Sequence, residues 1–194
     1  MNTPHIKTEA LSLRRTVISV CDAEPDQGVE KRVRIGRPAS FDGAGVHGLV
    51  SRCKPLDENS MYCNLLQCSH FADTSATAYL GEELVGFVSG YIPPKQSDVL
   101  FVWQVAVDES MRGHRLGAKM IEEILTRQHC AGVSRIHTTI TQDNAASQAM
   151  FRSLAKHLKA PANIAPHFDA TNHFDGHHNS EFLWNIGPVQ RPTR

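Results

Sequence analysis

The stretch that most constrains the fold is Val99-Leu100-Phe101-Val102-Trp103-Gln104-Val105-Ala106-Val107. A nearly continuous apolar run has no side to give to water, so it reads as a central strand covered on both faces. It is far shorter than the ~20 apolar residues of a membrane span. Asp108 ends it, and a basic loop follows, Arg112-Gly113-His114-Arg115-Leu116-Gly117-Ala118. Beyond the loop, Leu116, Met120, Ile121, Ile124 and Leu125 recur at the helical period. A strand that turns through such a loop into a helix presents free backbone amides and the positive end of a helix dipole. Arg112, His114 and Arg115 add charge, and the glycines permit close approach of a phosphate. The same residues also suit an ordinary solvated turn.

The flanking pattern extends this unit into a domain. Alternation in residues 32–37 begins a first strand, and Asp42 precedes a helix with Val46, Leu49, Val50 and Cys53 at helical spacing. A second helix starting near Ser60 puts Tyr62, Leu65, Leu66 and Phe71 in one apolar region. Residues 76–80 and 84–88, joined through Gly81, read as a hairpin. After the central helix, residues 135–141 form a strand, and Asp143 or Asn144 caps a helix bearing Met150, Phe151, Leu154 and Leu158. Beyond Pro161 the chain reads as irregular until a last strand at residues 181–186. The outcome is an α/β fold, a mixed sheet of one domain without internal repeat. Residues 1–31 lack a sustained period and read as a disordered tail, leaving residues 32–194 as the domain.

Twenty basic residues balance twenty acidic ones, which argues against a nucleic-acid or anionic-membrane binder working by bulk charge. Five cysteines without a Cys-x-x-Cys pair suit a reducing cytoplasm better than a disulfide framework. The N-terminus has no uninterrupted apolar core of the secretory kind.

The strand–loop–helix, followed by a strand ending in Thr141 and by Asn144-Ala145-Ala146-Ser147-x-x-x-Phe151, resembles the Gcn5-related N-acetyltransferase (GNAT) superfamily. That resemblance implies a single-domain GNAT fold with flanking helices, its mixed central sheet splayed at the fourth strand, and acetyl-CoA as cosubstrate without a metal. It places Val105 and Val107 on the pantetheine, with the Val105 amide as oxyanion donor. It places Arg112, Gly113, His114, Arg115, Leu116, Gly117 and Ala118 around the phosphates, and Asn144 on the pantetheine arm. Two positions depart from the superfamily pattern: Arg115 stands where a glycine is usual, and Phe151 stands where many members carry a proton-donating Tyr.

Further blocks narrow the resemblance. Pro55-Leu56-Asp57-x-Asn59-Ser60-x-Tyr62, Gly86-Phe87-Val88-Ser89-Gly90-Tyr91, Phe101 to Val107, Ile140-Thr141-x-Asp143-Asn144 and His173-Phe174-x-Gly176-His177 look like the L-2,4-diaminobutyrate N-γ-acetyltransferase family of ectoine biosynthesis. Glu181 and Ile186-Gly187-Pro188 belong with them, while Asn179-Ser180 replaces a usual Asp-Thr. This implies a cytoplasmic homodimer acting on L-2,4-diaminobutyrate in osmoadaptation, with Asp57, Tyr62, Trp103 and Glu181 binding the diamine. A diamine needs carboxylates for its ammonium groups, and Asp57 or Glu181 is the expected proton acceptor. His177, near Glu181, joins the candidate substrate-binding residues, as a supporting or proton-relay group. Each has a plainer reading: a helix cap for Asp57, core packing for Trp103 and Tyr62, a solvated face for Glu181, an ordinary loop histidine for His177.

His167, His173, His177 and His178, with Asp169 and Asp175, also raise a metal reading. Glycine, Asn and Asp around them oppose the helix that the His173 and His177 spacing would need. Two alternatives stay open here: an acetyltransferase for a polyamine or lysine, and a non-catalytic acetyl-CoA or metal-binding module.

Overall fold

The apolar run becomes one strand, Val99–Val107, in the interior of a mixed sheet. The computed structural model describes residues 32–190 and the backbone of Thr16–Val17. Its strands are β1 (Thr16–Val17), β2 (Val33–Gly36), β3 (Ala76–Leu80), β4 (Glu83–Tyr91), β5 (Val99–Val107), β6 (Arg135–Thr141), β7 (Ala162–Phe168) and β8 (Glu181–Ile186). They lie in the order β1-β2-β3-β4-β5-β6-β8-β7, antiparallel except for β5 against β6. Four helices, α1 (Gly43–Arg52), α2 (Met61–Ser69), α3 (Leu116–Thr126) and α4 (Ala145–His157), cover the sheet. The tail expectation lies outside the described residues, apart from the short ladder of β1 on Arg34 and Ile35.

Two cores sandwich the sheet. Leu116, Met120, Ile121, Ile124 and Leu125 of α3, with Phe151 and Leu154 of α4, bury against Leu100, Val102, Ile136 and Ile140. Val46, Leu49 and Val50 of α1 bury against Phe87 and Ala106 on the other side. Each such aliphatic side chain contributes about 1.5–3 kcal/mol of transfer free energy. The guanidinium of Arg127, just past α3, then ties the helix to the chain entering β3, through the carbonyls of Ala72, Asp73 and Ser75.

Parity along β5 switches sides at Trp103. Leu100 and Val102 belong to the α3 core, yet Ala106 belongs to the α1 core. The register explains this: Ser89 pairs with Gln104 and Gly90 with Val102, so Trp103 is the extra residue of a β-bulge. On its other edge β5 pairs with β6 only from Val99↔Arg135 to Phe101↔His137. Beyond that point the two strands part into a wedge, while β6 continues along β8 as far as Thr141↔Glu181. This is the expected splay, on the fifth strand here because β1 precedes it.

Three expectations need correction. Asp42 does not cap α1 through its side chain; it is buried, accepting the Ala39 N–H (2.8 Å) and the Tyr79 hydroxyl (2.6 Å). On α2 the buried positions are Asn64, Gln67 and Cys68, whereas Tyr62 is 70% exposed. The polar pair can be buried because Asn64 Nδ2 donates to Gln67 Oε1 (3.0 Å) and Asn64 Oδ1 meets His47 Nδ1 (3.2 Å). Finally, the segment after Pro161 is not irregular but forms the edge strand β7. Every residue of it is exposed, so it carries no hydrophobic alternation, and Pro166 is tolerated at an edge near a register shift.

Candidate active site

The wedge between β5 and β6 is a cavity of about 580 Å³, lined among others by Val102 to Val105, Thr138 to Thr141, Asn144, Ser147 and Phe151. Asp108 N–H donates to Val85 O (2.9 Å), which fixes the alternation of the β4–β5 ladder. Val85–Asp108, Phe87–Ala106 and Ser89–Gln104 are then the hydrogen-bonded pairs. The N–H groups of Val105 and Val107 therefore point away from β4, toward the gap that β6 has left. Val105 lines the cavity; Val107 lies farther along and packs against the α3 core.

At the end of β5 the chain turns through the basic loop into α3. Gly113 and Arg115 both adopt positive φ, +82° and +56°. Arg115 thus holds the left-handed geometry that a glycine would take freely, at about 1–2 kcal/mol. Its side chain lies outside, 3.3 Å from Glu122. The first helical bond of the turn is Lys119 N–H to Arg115 O (3.0 Å), so the amides of Leu116, Gly117 and Ala118 precede the ladder and remain open to an anion. The side chains of Leu116 and Ala118 are buried, so only their backbone is offered. A Cβ on Gly117 would sit 3.0 Å from Val105 Cγ1, which is how α3 comes close to the strand.

On the opposite side, the wedge is acidic. Glu181 projects from the start of β8 and is half-buried; its Oε2 is buried without a hydrogen-bond partner. Burial pushes its carboxyl above the ordinary range, against a bond from Thr139, and the Asp57 and Asp143 charges push the same way. Asp143 is held below the usual range by bonds from Thr141, its own backbone and Asn179. Asp57, on the α1–α2 connection, faces His178, Nε2 to Oδ2 3.7 Å. Three carboxylates around one cavity suit a ligand with more than one positive charge.

The structure therefore brings together Asp57, Trp103, Val105, Asn144, His177 and Glu181. Asn144 Oδ1 accepts the Ser147 N–H (3.0 Å), which leaves Nδ2 for a ligand. Tyr62 is not among the lining residues. Between the two histidines, His178 is the one that acts on Asp57, Asp143 and Glu181. His178, Asp143 and Thr139 were missed as site residues; the signal available was only their place at the ends of strands flanking Glu181 and Thr141. Phe151 is buried on the cavity wall and has no proton to give; Ser147, one turn earlier, supplies a hydroxyl on the same wall. Among the described residues no group of three or more His, Cys, Asp or Glu is arranged to hold a metal ion.

Comparison with known proteins agrees with this geometry. The sequence pattern of the Acetyltransferase (GNAT) family matches residues 46–155. L-2,4-diaminobutyric acid acetyltransferase of Methylotuvimicrobium alcaliphilum is 49% identical over 166 residues, covering 86% of this chain and 96% of that protein. The Vibrio cholerae protein of the same name is 44% identical over 154 residues, 79% of this chain and 88% of that one. Diaminobutyrate acetyltransferase from Paenibacillus lautus, solved in complex with its substrate L-2,4-diaminobutyric acid and coenzyme A, superimposes with a TM-score of 0.77 at 34% identity. That match covers 84% of this chain and 98% of the other. The chain belongs to the GNAT acetyltransferase family and, within it, to the L-2,4-diaminobutyric acid acetyltransferases.

Proposed function

We propose that the protein transfers the acetyl group of acetyl-CoA to the γ-amine of L-2,4-diaminobutyrate, by direct attack within a ternary complex. The open amides at the start of α3 hold the phosphates, and β5 and Asn144 Nδ2 receive the pantetheine. The Val105 N–H meets the oxygen that becomes negative as the amine adds. Asp57 and Glu181 bind the two ammonium groups, and Trp103 packs on the short carbon chain. An alkylammonium near pKa ~10 must lose a proton before it attacks. Glu181, whose carboxyl burial holds above the usual range, accepts it. The observation that carries this reading is the buried, unpartnered Glu181 Oε2 on the wall of an acidic wedge beside the bulged strand.

The product is the precursor of ectoine, so the protein serves osmoadaptation from the cytoplasm, a site that four described cysteines, all free thiols, accord with. A homodimer completes the reading. Exposed Phe41, Met61 and Tyr62, and Ile164 and Phe168 on β7, supply apolar surface for it.

The test is acetyl transfer by the purified protein to diaminobutyrate, lysine and spermidine in competition, with the acetyl group located by mass spectrometry. Asp57→Asn and Glu181→Gln delete charge while keeping shape. Each removes a charge-assisted bond of about 1.5–3 kcal/mol, so kcat/KM for diaminobutyrate falls roughly ten- to more than hundredfold with acetyl-CoA binding unchanged. Preference for spermidine or lysine, or normal kinetics in both variants, overturns the reading.

A further inference from the structure

We propose that Gln104 is a positioning residue for the diamine, holding the Asp57 backbone so that the carboxylate keeps a fixed distance from Glu181. The inference rests on the reading that Asp57 binds an ammonium group. Gln104 follows the bulge residue Trp103 and is only 7% exposed. Its Nε2 donates to the Asp57 carbonyl (2.9 Å) and its Oε1 accepts from Asn59 Nδ2 (3.2 Å). A carbonyl can only accept, so the orientation of the Gln104 amide is determined by Asp57 itself. The Asp57 side chain, by contrast, is 84% exposed and faces His178 at 3.7 Å. What fixes the carboxylate is thus its main chain, and the main chain is fixed to β5 by one buried amide.

This linkage gives the bulge a second use. It turns the Gln104 amide to the segment 55–60, at the wall of the same cavity that Trp103 and Val105 line. A carboxylate on a free loop follows ammonium groups of any spacing, whereas a tethered one selects the spacing of a four-carbon diamine. Replacing Gln104 by Met preserves volume and chain length but neither donates nor accepts. The Asp57 carbonyl and the Asn59 amide then regain partners only by moving out to water, and the carboxylate moves with them.

The experiment is a double-mutant cycle of Gln104→Met with Asp57→Asn in the full-length protein, measuring kcat and KM for diaminobutyrate, L-ornithine and acetyl-CoA. Gln104→Met is expected to lower diaminobutyrate kcat/KM by about tenfold, chiefly through KM, with the acetyl-CoA KM changed less than about twofold. Discrimination against ornithine, one methylene longer, falls with it. In the Asp57→Asn background the same replacement changes diaminobutyrate kcat/KM by less than about twofold, because the group it positions no longer carries charge. Equal losses in both backgrounds, or a parallel rise in the acetyl-CoA KM, overturn the proposal. A costly Asp57→Asn beside a silent Gln104→Met overturns positioning alone; a silent Asp57→Asn overturns both it and the ammonium reading. Should Gln104→Met fail to fold, Asn59→Ala cuts the outer of the two bonds. It is then expected to give the same KM pattern at about two- to fivefold, with faster amide hydrogen exchange over residues 55–60; normal KM values overturn the proposal.

Discussion

His178 Nε2 stands 3.7 Å from Asp57 Oδ2, joining the β7–β8 connection to the α1–α2 connection across the mouth of the wedge. The other ring nitrogen of His178 lies 2.7 Å from its neighbour's carbonyl, Asn179 O. A carbonyl only accepts, so Nδ1 carries a hydrogen, and Nε2 is the ring atom turned toward the carboxylate. The separation is too long for a direct hydrogen bond, and both groups line the cavity an ammonium group would enter. Phe174, with its ring centroid 4.7 Å away, packs against the imidazole.

This arrangement separates the two histidines. His178→Ala is expected to raise the KM for diaminobutyrate by about tenfold, as the loss of one charge-assisted bond does. His177→Ala, which leaves Nε2 of His178 in place, is expected to change it by less than about threefold. Steady-state kinetics of both variants provide the check, and the reverse order returns the role to His177.

Glu181 carries a stability signature besides its chemical one. Burial raises its folded-state pKa above the ordinary value of 4.5. Above pH 4.5 the native state then binds more protons than the unfolded chain, so this group's contribution falls as pH rises through the window up to the raised value. Glu181→Gln removes that loss. The Tm of the variant relative to the native sequence is expected to climb between about pH 4 and 7 even as diamine turnover collapses. A variant less stable at pH 7 would mean that the carboxylate is held by partners rather than penalised by burial.

At the start of α3, two neighbouring changes are expected to act in opposite directions. Arg115→Gly relieves a left-handed backbone and loses an exposed pair with Glu122 that is worth little. Stability is expected to stay level or rise by up to about 1 kcal/mol, with acetyl-CoA KM unaltered. Gly117→Ala puts a methyl 3.0 Å from Val105 Cγ1 and pushes on the strand that carries the proposed oxyanion donor. It is expected to raise the acetyl-CoA KM while leaving diaminobutyrate KM nearly constant. Isothermal titration with CoA separates the two.

Arg127 should matter to the fold alone. One of its nitrogens shares its hydrogens among the carbonyls of Ala72 (2.9 Å), Asp73 (3.0 Å) and Ser75 (2.6 Å), and it pairs with Glu123 where both side chains are 11% exposed. Arg127→Ala strands that carboxylate and the carbonyls, at a cost of about 3–5 kcal/mol in urea unfolding. Kinetics at low temperature should stay normal. Arg127→Lys is expected to recover little, since an ammonium cannot reproduce the planar fork.

What the sequence determined by itself is whatever depends on neighbours along the chain. The strand Val99–Val107, the helix from Leu116, and the strands Arg135–Thr141 and Glu181–Ile186 are legible because burial imprints a period of two, a period of 3.6 or an unbroken run on consecutive residues. The open amides of the candidate anion site were legible for the same reason: they come from one strand–loop–helix passage. Register between strands leaves no such imprint. That Trp103 is the bulged residue, and that β5 leaves β6 after Phe101, follows from pairing across the sheet. Tertiary contact alone decided which side of α2 is buried: Asn64, bonded to both Gln67 and His47, goes inside, and the side carrying Tyr62 faces out. It also decided that an exposed segment becomes β7, because an edge strand takes its hydrogen bonds from β8 and needs no hydrophobic pattern. The acidic wedge belongs to the same class: Asp57, Asp143 and the stretch from His178 to Glu181 lie on three separate segments, and only the divergence of two strands brings them around one cavity.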